Sequence, residues 1–291
     1  LRYSHPRWLV TRLIDILGAE EAEEYLRCNN AIVPTTIQTN TMKTTPEALE
    51  KELRATGATI MPHPWMAGCF EVSGTGDLES LSAFRQDAAA RLVATVAAPQ
   101  ETDRVLDVCA APGGKSFALA IDMGDRGDIL SCDVHPHKLK LIEKGAARLG
   151  LRSIRTALAD GRERHEVWIG QADLVVADVP CSGLGVIRKK PDIRYKPLDA
   201  IERLPAIQTA ILENVCRYVR PGGTLLYSTC TVRKEENEDV ARTFLLAHPE
   251  FSPEPFAVPA GLDLKNEGYA TLLPQKHAAD GFFICKLRRH A

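Results

Sequence analysis

The spacing of apolar residues predicts a helical start to the chain. Apolar residues recur there every three or four positions, which is the period of one face of an α-helix. The pattern predicts a helix over residues 8–17 that ends at Gly18, and a second, shorter helix from Glu20 to Arg27. We therefore interpret residues 1–29 as a helical linker segment.

A small α+β unit is predicted for residues 30–84. Thr44 or Thr45 can cap a helix in this unit, and Pro46 suits the first turn of that helix. The stretches that alternate like strands, or are short and apolar, run from Thr35 to Asn40, over residues 58–61 and over residues 69–72.

From Arg85 to the end of the chain, short apolar runs alternate with helical patterns. This alternation predicts an α/β fold with a doubly wound, mostly parallel sheet. In such sheets ligands bind outside the carboxyl ends of the strands, so the residues just after each strand are the candidates for chemistry. The predicted strands run from Val105 to Val108, Ile129 to Cys132, Ile154 to Leu158, Leu174 to Ala177 and Leu225 to Tyr227. The predicted helices run from Lys138 to Leu149, Leu198 to Val219 and Glu235 to Leu246.

Composition excludes several classes of protein. A hydrophobic fraction of 45% and a net charge of -2 are ordinary for a globular protein and argue against one coated in positive charge. The eight cysteines include no Cys-x-x-Cys pair, so neither a zinc ribbon nor any other metal site is predicted. Their irregular spacing favours free thiols in a reducing cytoplasm. The sequence contains no apolar run of about 18 residues, so we expect neither a signal peptide nor a membrane span.

A tight glycine loop follows the first strand of the predicted sheet. Gly113 and Gly114 would let backbone amides approach a ligand where the next helix begins. A P-loop would need glycine where Cys109 stands, so binding of a nucleoside triphosphate is not favoured. The Gly-x-Gly-x-x-Gly pattern of dinucleotide-binding proteins is absent as well.

Four carboxylates stand at the ends of four successive strands: Asp107, Asp133, Asp160 and Asp178. A carboxylate after the second strand commonly accepts hydrogen bonds from ribose hydroxyls in Rossmann-like sites. Four in register predict a pocket for a nucleoside that carries hydroxyls and an amine. S-adenosylmethionine fits this description, although the carboxylates alone also allow an NAD enzyme.

Two cysteines follow adjacent strands, Cys181 after the fourth and Cys230 after the fifth. Either one alone would most often be a buried, inert residue. Together at one edge they suit methylation of cytosine at carbon-5. A thiolate that adds to carbon-6 makes carbon-5 nucleophilic, and a base must then remove the carbon-5 proton. Asp178 could stabilise the adduct as a carboxylic acid near the third ring nitrogen and the exocyclic amine.

At these residues the chain resembles the Sun/RsmB family of RNA cytosine-5 methyltransferases. The similarity covers essentially all of the chain from Arg85 onward, and Val179, where the family usually has Pro or Ala, is a small departure. The matching segments are Asp107-Val-Cys-Ala-Ala-Pro-Gly-Gly-Lys115, Asp178-Val-Pro-Cys-Ser-Gly183, Arg188-Lys-Lys-Pro-Asp-Ile-Arg194, Pro221-Gly-Gly223, Thr229-Cys230, Glu235-Glu-Asn237 and Asp280-Gly-Phe-Phe283.

The resemblance implies a Rossmann-like class I methyltransferase domain over residues 85–291, preceded by a small RNA-recognition-like domain. It implies that Cys230 is the nucleophile and that Cys181 helps to release the product. Because DNA methyltransferases use the cysteine after proline as the nucleophile, the presence of both thiols points to RNA. The residues implied to bind S-adenosylmethionine or line its pocket are Cys109, Ala110, Ala111, Pro112, Gly113, Gly114, Lys115, Asp133, Asp160 and Asp178.

Several expectations about partners follow from the resemblance. The substrate is expected to be small-subunit ribosomal RNA and the protein a cytoplasmic monomer. The opening segment Tyr3-Ser-His-Pro-Arg-Trp-Leu-Val10 resembles the linker region of RsmB-type enzymes, which carry a further NusB-like domain before it. We therefore expect such a domain to have preceded this segment, and the start at Leu1 rather than Met favours a fragment. A basic cluster of Arg188, Lys189, Lys190 and Arg194 is expected to flank the active site and bind RNA phosphates.

Two alternatives stay open from the sequence. One is a non-catalytic RNA-binding assembly factor on the same fold, which loss of Cys230 or of the glycine loop would have favoured. The other is a methyltransferase that acts on an exocyclic amine, for which no pair of cysteines is needed.

Overall fold

The first two helices pack against the larger part of the protein. The computed structural model describes residues 2–74 and 81–291. Helices α1 (Arg7–Leu17) and α2 (Ala19–Cys28) confirm the predicted pair and are separated by Gly18, whose φ is +81°. Their buried apolar residues share one cluster with Leu184, Ile187 and Val232. The opening segment is therefore anchored to the larger unit through its own apolar core.

A four-stranded antiparallel sheet follows, with strands β1 (Thr35–Thr39), β2 (Thr59–Pro62), β3 (Cys69–Ser73) and β4 (Ala83–Arg85). Their order in the sheet is β2-β3-β1-β4. Helix α3 (Pro46–Ala55) covers it with Leu49 and Leu53, and the Thr45 side chain caps the helix by accepting from the Ala48 N–H. The sheet extends one residue beyond the predicted unit, to Arg85, while residues 75–80 of that unit lie outside the described residues.

The larger unit is an α/β structure with a mostly parallel sheet, as predicted. Its strands are β5 (Arg104–Asp107), β6 (Asp128–Asp133), β7 (Ile154–Leu158), β8 (Ala172–Asp178), β9 (Val219–Thr229), β10 (Phe251–Pro253), β11 (Tyr269–Leu272) and β12 (Phe282–Arg289). The order is β10-β12-β9-β8-β5-β6-β7, with β11 paired to β12. Strands β9, β8, β5, β6 and β7 are parallel, so their carboxyl ends share one edge.

Helices pack on this sheet mostly where the sequence placed them. The helix predicted from Leu198 to Val219 is divided into two helices, Leu198–Glu202 and Leu204–Val215. The division follows from Pro205 near the start of the second helix, because proline has no N–H to continue the first. Helix α9 begins later than predicted, after a single 3-10 turn over Lys234–Glu236. The helices are α4 (Ala88–Ala97), α5 (Gly114–Asp122), α6 (Pro136–Leu149), α7 (Leu198–Glu202), α8 (Leu204–Val215), α9 (Glu238–Ala247) and α10 (Pro274–His277).

Strand β12 was not predicted, although it lies antiparallel between β9 and β10. Its first six residues are buried, so the alternation that identifies a half-exposed strand is absent. Near the end of β12, Lys286 and Arg288 form ion pairs with Glu254, so the charges of both cations are already partnered within the protein. In the part of the chain that the structure describes, no helix is long and apolar enough to cross a membrane.

Candidate active site

The glycine loop joins β5 to α5 at the carboxyl edge of the sheet. Gly113 has a φ of +109°, and a β-carbon there would lie 2.5 Å from the Phe117 ring, so both backbone conformation and space require glycine. The loop is tied to the neighbouring strand by the bond from the Ala110 N–H to the Cys132 carbonyl. Helix α5 then begins at Gly114, and its first N–H groups have no partner within the helix, which suits an anion or a polar ligand.

The four strand-end carboxylates converge around the thiol of Cys109. Burial raises the pKa of this thiol, and the negative charges of all four carboxylates add to the increase. The carboxylates are Asp107, Asp133, Asp160 and Asp178. The structure thus brings together the acidic residues that the sequence placed at one edge.

The four carboxylates differ in what already binds them. Asp107 is fully buried, accepts from the Ser116 hydroxyl at 2.7 Å, and has its pKa raised to about 6 by desolvation. Asp133 accepts from the backbone N–H of His135 through Oδ1. Asp160 is held by the guanidinium of Arg162, whose hydrogen bonds lower the pKa of that carboxyl. Asp160 therefore has to share its oxygens with Arg162 if it also binds a ligand.

Asp178 is held as an acceptor by two donors. Lys115 Nζ lies 2.5 Å from Oδ2, and the Ser228 hydroxyl donates to Oδ1 at 2.7 Å. Burial opposes the charge on Lys115, but the Asp178 carboxylate raises the pKa of the lysine above its usual value. The ammonium also lies 5.1 Å from the centre of the Phe282 ring. This geometry differs from the neutral carboxylic acid expected at Asp178, because the group is ion-paired.

The thiols of Cys181 and Cys230 form a hydrogen-bonded pair with their sulfurs 3.2 Å apart. The hydrogen bond between the two thiols lowers the pKa of Cys230. Burial and Asp178 oppose this decrease, while Lys115 and Lys190 add to it. The pKa of Cys181 is raised well above its usual value, first by the bond to Cys230 and then by burial. These opposite shifts favour a thiolate at Cys230 over one at Cys181. Both residues are partly exposed, so a substrate can reach them.

A buried glutamate fixes the loop that carries Cys181, and the sequence analysis assigned it no role. Glu236 is fully buried, and its Oε2 accepts from the Ser182 N–H at 2.8 Å and from Gln208 at 3.0 Å. The next residue, Asn237, donates to the carbonyl of Thr231 just after Cys230. Both residues lie in the segment Glu235-Glu-Asn237, which resembles the family. The resemblance alone did not predict these contacts.

Close backbone contacts connect the Cys181 loop with Cys230 and with helix α2. The N–H of Gly185 donates to the carbonyl of Cys230 at 3.0 Å, and a β-carbon at Gly185 would lie 1.9 Å from the Gly281 carbonyl oxygen. The hydroxyl of Tyr25, which is fully buried in α2, donates to the Leu184 carbonyl at 2.7 Å. The opening helices thus support the segment that positions both thiols.

Three of the four cations in the basic cluster bind partners within the protein. This corrects part of the expectation that the cluster binds RNA phosphates. Arg188 and Lys189 pair with the buried carboxylates of Asp87 and Asp280. Arg194 is only 7% exposed and donates to the Ser4 carbonyl and to Asn30. Of the four cations only Lys190 is exposed with no ion-pair partner in residues 2–74 and 81–291.

The residues present fit S-adenosylmethionine. Asp107 Oδ1 and both side-chain amide atoms of Gln86 are buried without a partner in the described structure, and they flank the free N–H groups at the start of α5. Asp133 at the end of β6 presents a carboxylate where a ribose binds in Rossmann-like sites. This donor and acceptor set suits a ligand that carries hydroxyls, an ammonium and a carboxylate.

The parallel sheet, the glycine loop and the carboxylates define an S-adenosylmethionine-dependent methyltransferase of the Rossmann-like class. The comparisons with known proteins agree. A family model described as 16S rRNA methyltransferase RsmB/F matches residues 94–288, and one described as the RsmF/B-like ferredoxin-like domain matches residues 5–79. The chain belongs to the RsmB/F methyltransferase family, which confirms the resemblance and the predicted cofactor.

Curated relatives show the same relationship. The chain is 37% identical to a probable ribosomal RNA small subunit methyltransferase B of Bacillus subtilis, over 98% of this chain and 66% of that protein. It is 34% identical to the protein of the same name from Synechocystis, over 99% of this chain and 67% of the relative. The chain thus spans about two thirds of the length of these relatives.

Solved structures confirm the fold. The crystal structure of PH0851 superposes with a TM-score of 0.93 at 32% identity, over 99% of this chain and 67% of that one. The structure of NSun6 from Pyrococcus horikoshii with SFG gives a TM-score of 0.88 over the whole of both chains. At 21% identity this second match shows the fold alone.

Proposed function

We propose that the chain transfers a methyl group from S-adenosylmethionine to carbon-5 of a cytosine in small-subunit ribosomal RNA, through a covalent bond to Cys230. The observation that carries the proposal is the pair of thiols after β8 and β9, whose sulfurs lie 3.2 Å apart. A methyltransferase that acts on an exocyclic amine has no use for such a pair, because the amine nitrogen needs no activation by a thiolate.

The first step is addition of the Cys230 thiolate to carbon-6 of the cytosine. The sulfur forms the new bond, and the electron pair of the carbon-5–carbon-6 double bond moves into the ring towards its third nitrogen. Asp178 can accept a hydrogen bond from the exocyclic amine, and the Lys115 ammonium beside it supplies positive charge. In a site of low dielectric constant such a fixed charge stabilises the electron-rich adduct.

The start of α5 and Asp133 would hold the cofactor, which when bound would supply the electrophilic methyl group for carbon-5. The remaining chemistry belongs to Cys181. The bond to the Cys230 thiolate is the main cause of its raised pKa, so formation of the sulfur–carbon bond removes that cause and lets Cys181 release its proton to solvent. Its thiolate then takes the carbon-5 proton, the ring double bond re-forms, and Cys230 leaves as a thiolate.

Ribosomal RNA is proposed as the substrate because the matching relatives bear the name of small-subunit ribosomal RNA methyltransferases. Lys190 lies close enough to Cys230 to lower its pKa and is exposed, so it is the best candidate of the cluster for an RNA phosphate contact. Arg188, Lys189 and Arg194 act instead to hold the Cys181 loop against Asp87, Asp280 and the opening helices.

Substitutions of the adjacent lysines Lys189 and Lys190 distinguish a role in stability from a role in RNA binding. Lys190→Ala should leave the free energy of unfolding within about 0.5 kcal/mol of the wild type, while the slope of log affinity for RNA against log salt falls by about 0.7 to 0.9. Lys189→Ala should cost about 1 to 3 kcal/mol of stability, because it leaves Asp87 and Asp280 with one cation fewer. Urea unfolding and RNA titrations at several salt concentrations measure both. An unchanged salt slope for Lys190→Ala would remove its phosphate contact.

Nucleoside analysis tests the proposed reaction. Small-subunit ribosomal RNA that lacks the modification is incubated with the protein and with S-adenosylmethionine labelled in its methyl group, and the RNA is then digested to nucleosides. We expect the label in 5-methylcytidine. Label in N4-methylcytidine would support the exocyclic-amine alternative, and no label with bound RNA would support the assembly factor. Either result would contradict the proposal.

A further inference from the structure

Gln86 carries a side-chain amide that is buried without a partner. The residue lies between β4 and α4 and is 7% exposed. Its backbone is satisfied, since its N–H donates to the Thr36 carbonyl and its own carbonyl accepts from Gln38. Neither Nε2 nor Oε1 has a hydrogen-bond partner within residues 2–74 and 81–291. Because buried amides are nearly always paired, a ligand is the natural partner for both atoms.

The position of this amide connects it to the start of α5. A β-carbon built on Gly114 would lie 3.3 Å from Gln86 Nε2, so the amide packs directly on the first residue of that helix. On the same helix, Ser116 binds Asp107 Oδ2 and leaves Oδ1 buried without a partner in the described residues. The first turn of α5 therefore has the Gln86 amide against its first residue and the Asp107 carboxylate bound to its third.

The order of strands indicates which end of the cofactor reaches this site. The ribose carboxylate, Asp133, follows β6, whereas Cys181 and Cys230 follow β8 and β9 on the other side of β5. A cofactor with its ribose at β6 and its methyl group towards the thiols would cross the loop after β5. The amino-acid branch starts at the sulfur that carries this methyl group, so it would lie beside that loop and the start of α5.

We propose that Gln86 binds the α-amino-acid end of S-adenosylmethionine, with Nε2 donating to the carboxylate and Oε1 accepting from the ammonium. The carboxylate is also suited to the free N–H groups at the start of α5. The assignment rests on the cofactor site of the proposed function and adds a residue that is not part of the glycine loop or of the strand ends.

Calorimetry with two ligands tests this role without RNA. 5′-Methylthioadenosine has the adenosine and sulfur of the cofactor but lacks the amino-acid end. Gln86→Leu should weaken S-adenosylmethionine about tenfold to a hundredfold, because hydrogen bonds to charged groups are lost. It should leave the affinity for 5′-methylthioadenosine within about twofold.

The matched variant Asp133→Ala removes the ribose contact and should weaken the binding of both ligands by similar factors. Gln86→Glu keeps the shape and places a negative charge by the carboxylate, so it should also weaken S-adenosylmethionine alone.

The outcomes separate this proposal from the function on which it rests. Equal weakening of both ligands by Gln86→Leu and Gln86→Glu would overturn it and make Gln86 a structural support of the pocket. Unchanged binding of both ligands would also overturn it and leave water as the partner of the amide. If the wild-type chain bound neither ligand, the cofactor site itself would be wrong, and the proposed function would fail with it.

Discussion

Cys230→Ala is expected to abolish methylation of RNA, with a loss of at least about 10⁴-fold in turnover. The variant cannot form the bond to carbon-6, and without that bond carbon-5 of an aromatic cytosine is a poor nucleophile. The affinity for S-adenosylmethionine should stay within about twofold, because the glycine loop and the carboxylates are unchanged. Methyl-transfer assays and calorimetry on the same preparation measure the two quantities.

Cys28→Ala is the matched control, since it removes a half-buried thiol at the end of α2 that has no part in the site. It should methylate like the wild type. Appreciable turnover by Cys230→Ala would show that the thiolate is not needed for attack. A parallel loss of cofactor binding would instead make Cys230 a structural part of the pocket.

Cys181→Ala is expected to stall the reaction after methyl transfer. Attack by Cys230 needs no base at carbon-5, but release of the sulfur requires the carbon-5 proton to leave. A protein–RNA complex should therefore survive denaturing electrophoresis for Cys181→Ala and be absent for Cys230→Ala. Turnover should fall by about 10² to 10⁴-fold, which is typical for loss of a general base. A stable complex only in Cys230→Ala would make Cys181 the nucleophile.

The same variant should also change the pH at which the adduct forms. The hydrogen bond from Cys181 is the main cause of the lowered pKa of Cys230, so its loss raises that pKa and leaves less thiolate at neutral pH. The rate of adduct formation should rise with pH in both proteins, with its midpoint at higher pH in Cys181→Ala. Cys181→Ser keeps a hydrogen-bond donor but supplies no thiolate base. It should therefore stall as well, with a midpoint closer to that of the wild type.

Much of the site was predictable because parallel strands end at one edge of a sheet. The positions of Asp107, Asp133, Asp178, Cys181 and Cys230 at strand ends were sufficient to expect a common pocket. The pairing of the two thiols across 49 residues follows from the adjacency of β8 and β9. The opposite pKa shifts of the two thiols were not predictable from spacing, because Glu236, Lys115 and Lys190 around them contribute to these shifts.

The errors have a common physical origin in partners that are distant in sequence. Lys189 was expected to bind RNA, yet its ammonium pairs with Asp87, 102 residues away, and with Asp280, 91 residues away. Strand β12 was missed because burial on both faces removes the alternation that marks an exposed strand. Gln86 carries no motif, and only its burial beside Gly114 distinguishes it from an ordinary surface glutamine.

If Cys230 bonds to a cytosine on the way to methylation, RNA that contains 5-fluorocytidine should trap the bonded intermediate. Fluorine at carbon-5 cannot leave as a cation, so the final elimination is blocked and the covalent complex accumulates. We expect a complex that forms only when S-adenosylmethionine is present, and peptide mass spectrometry should locate the methylated base on Cys230. A complex bonded through Cys181, or no covalent complex at all under conditions where unmodified RNA is methylated, would contradict the account.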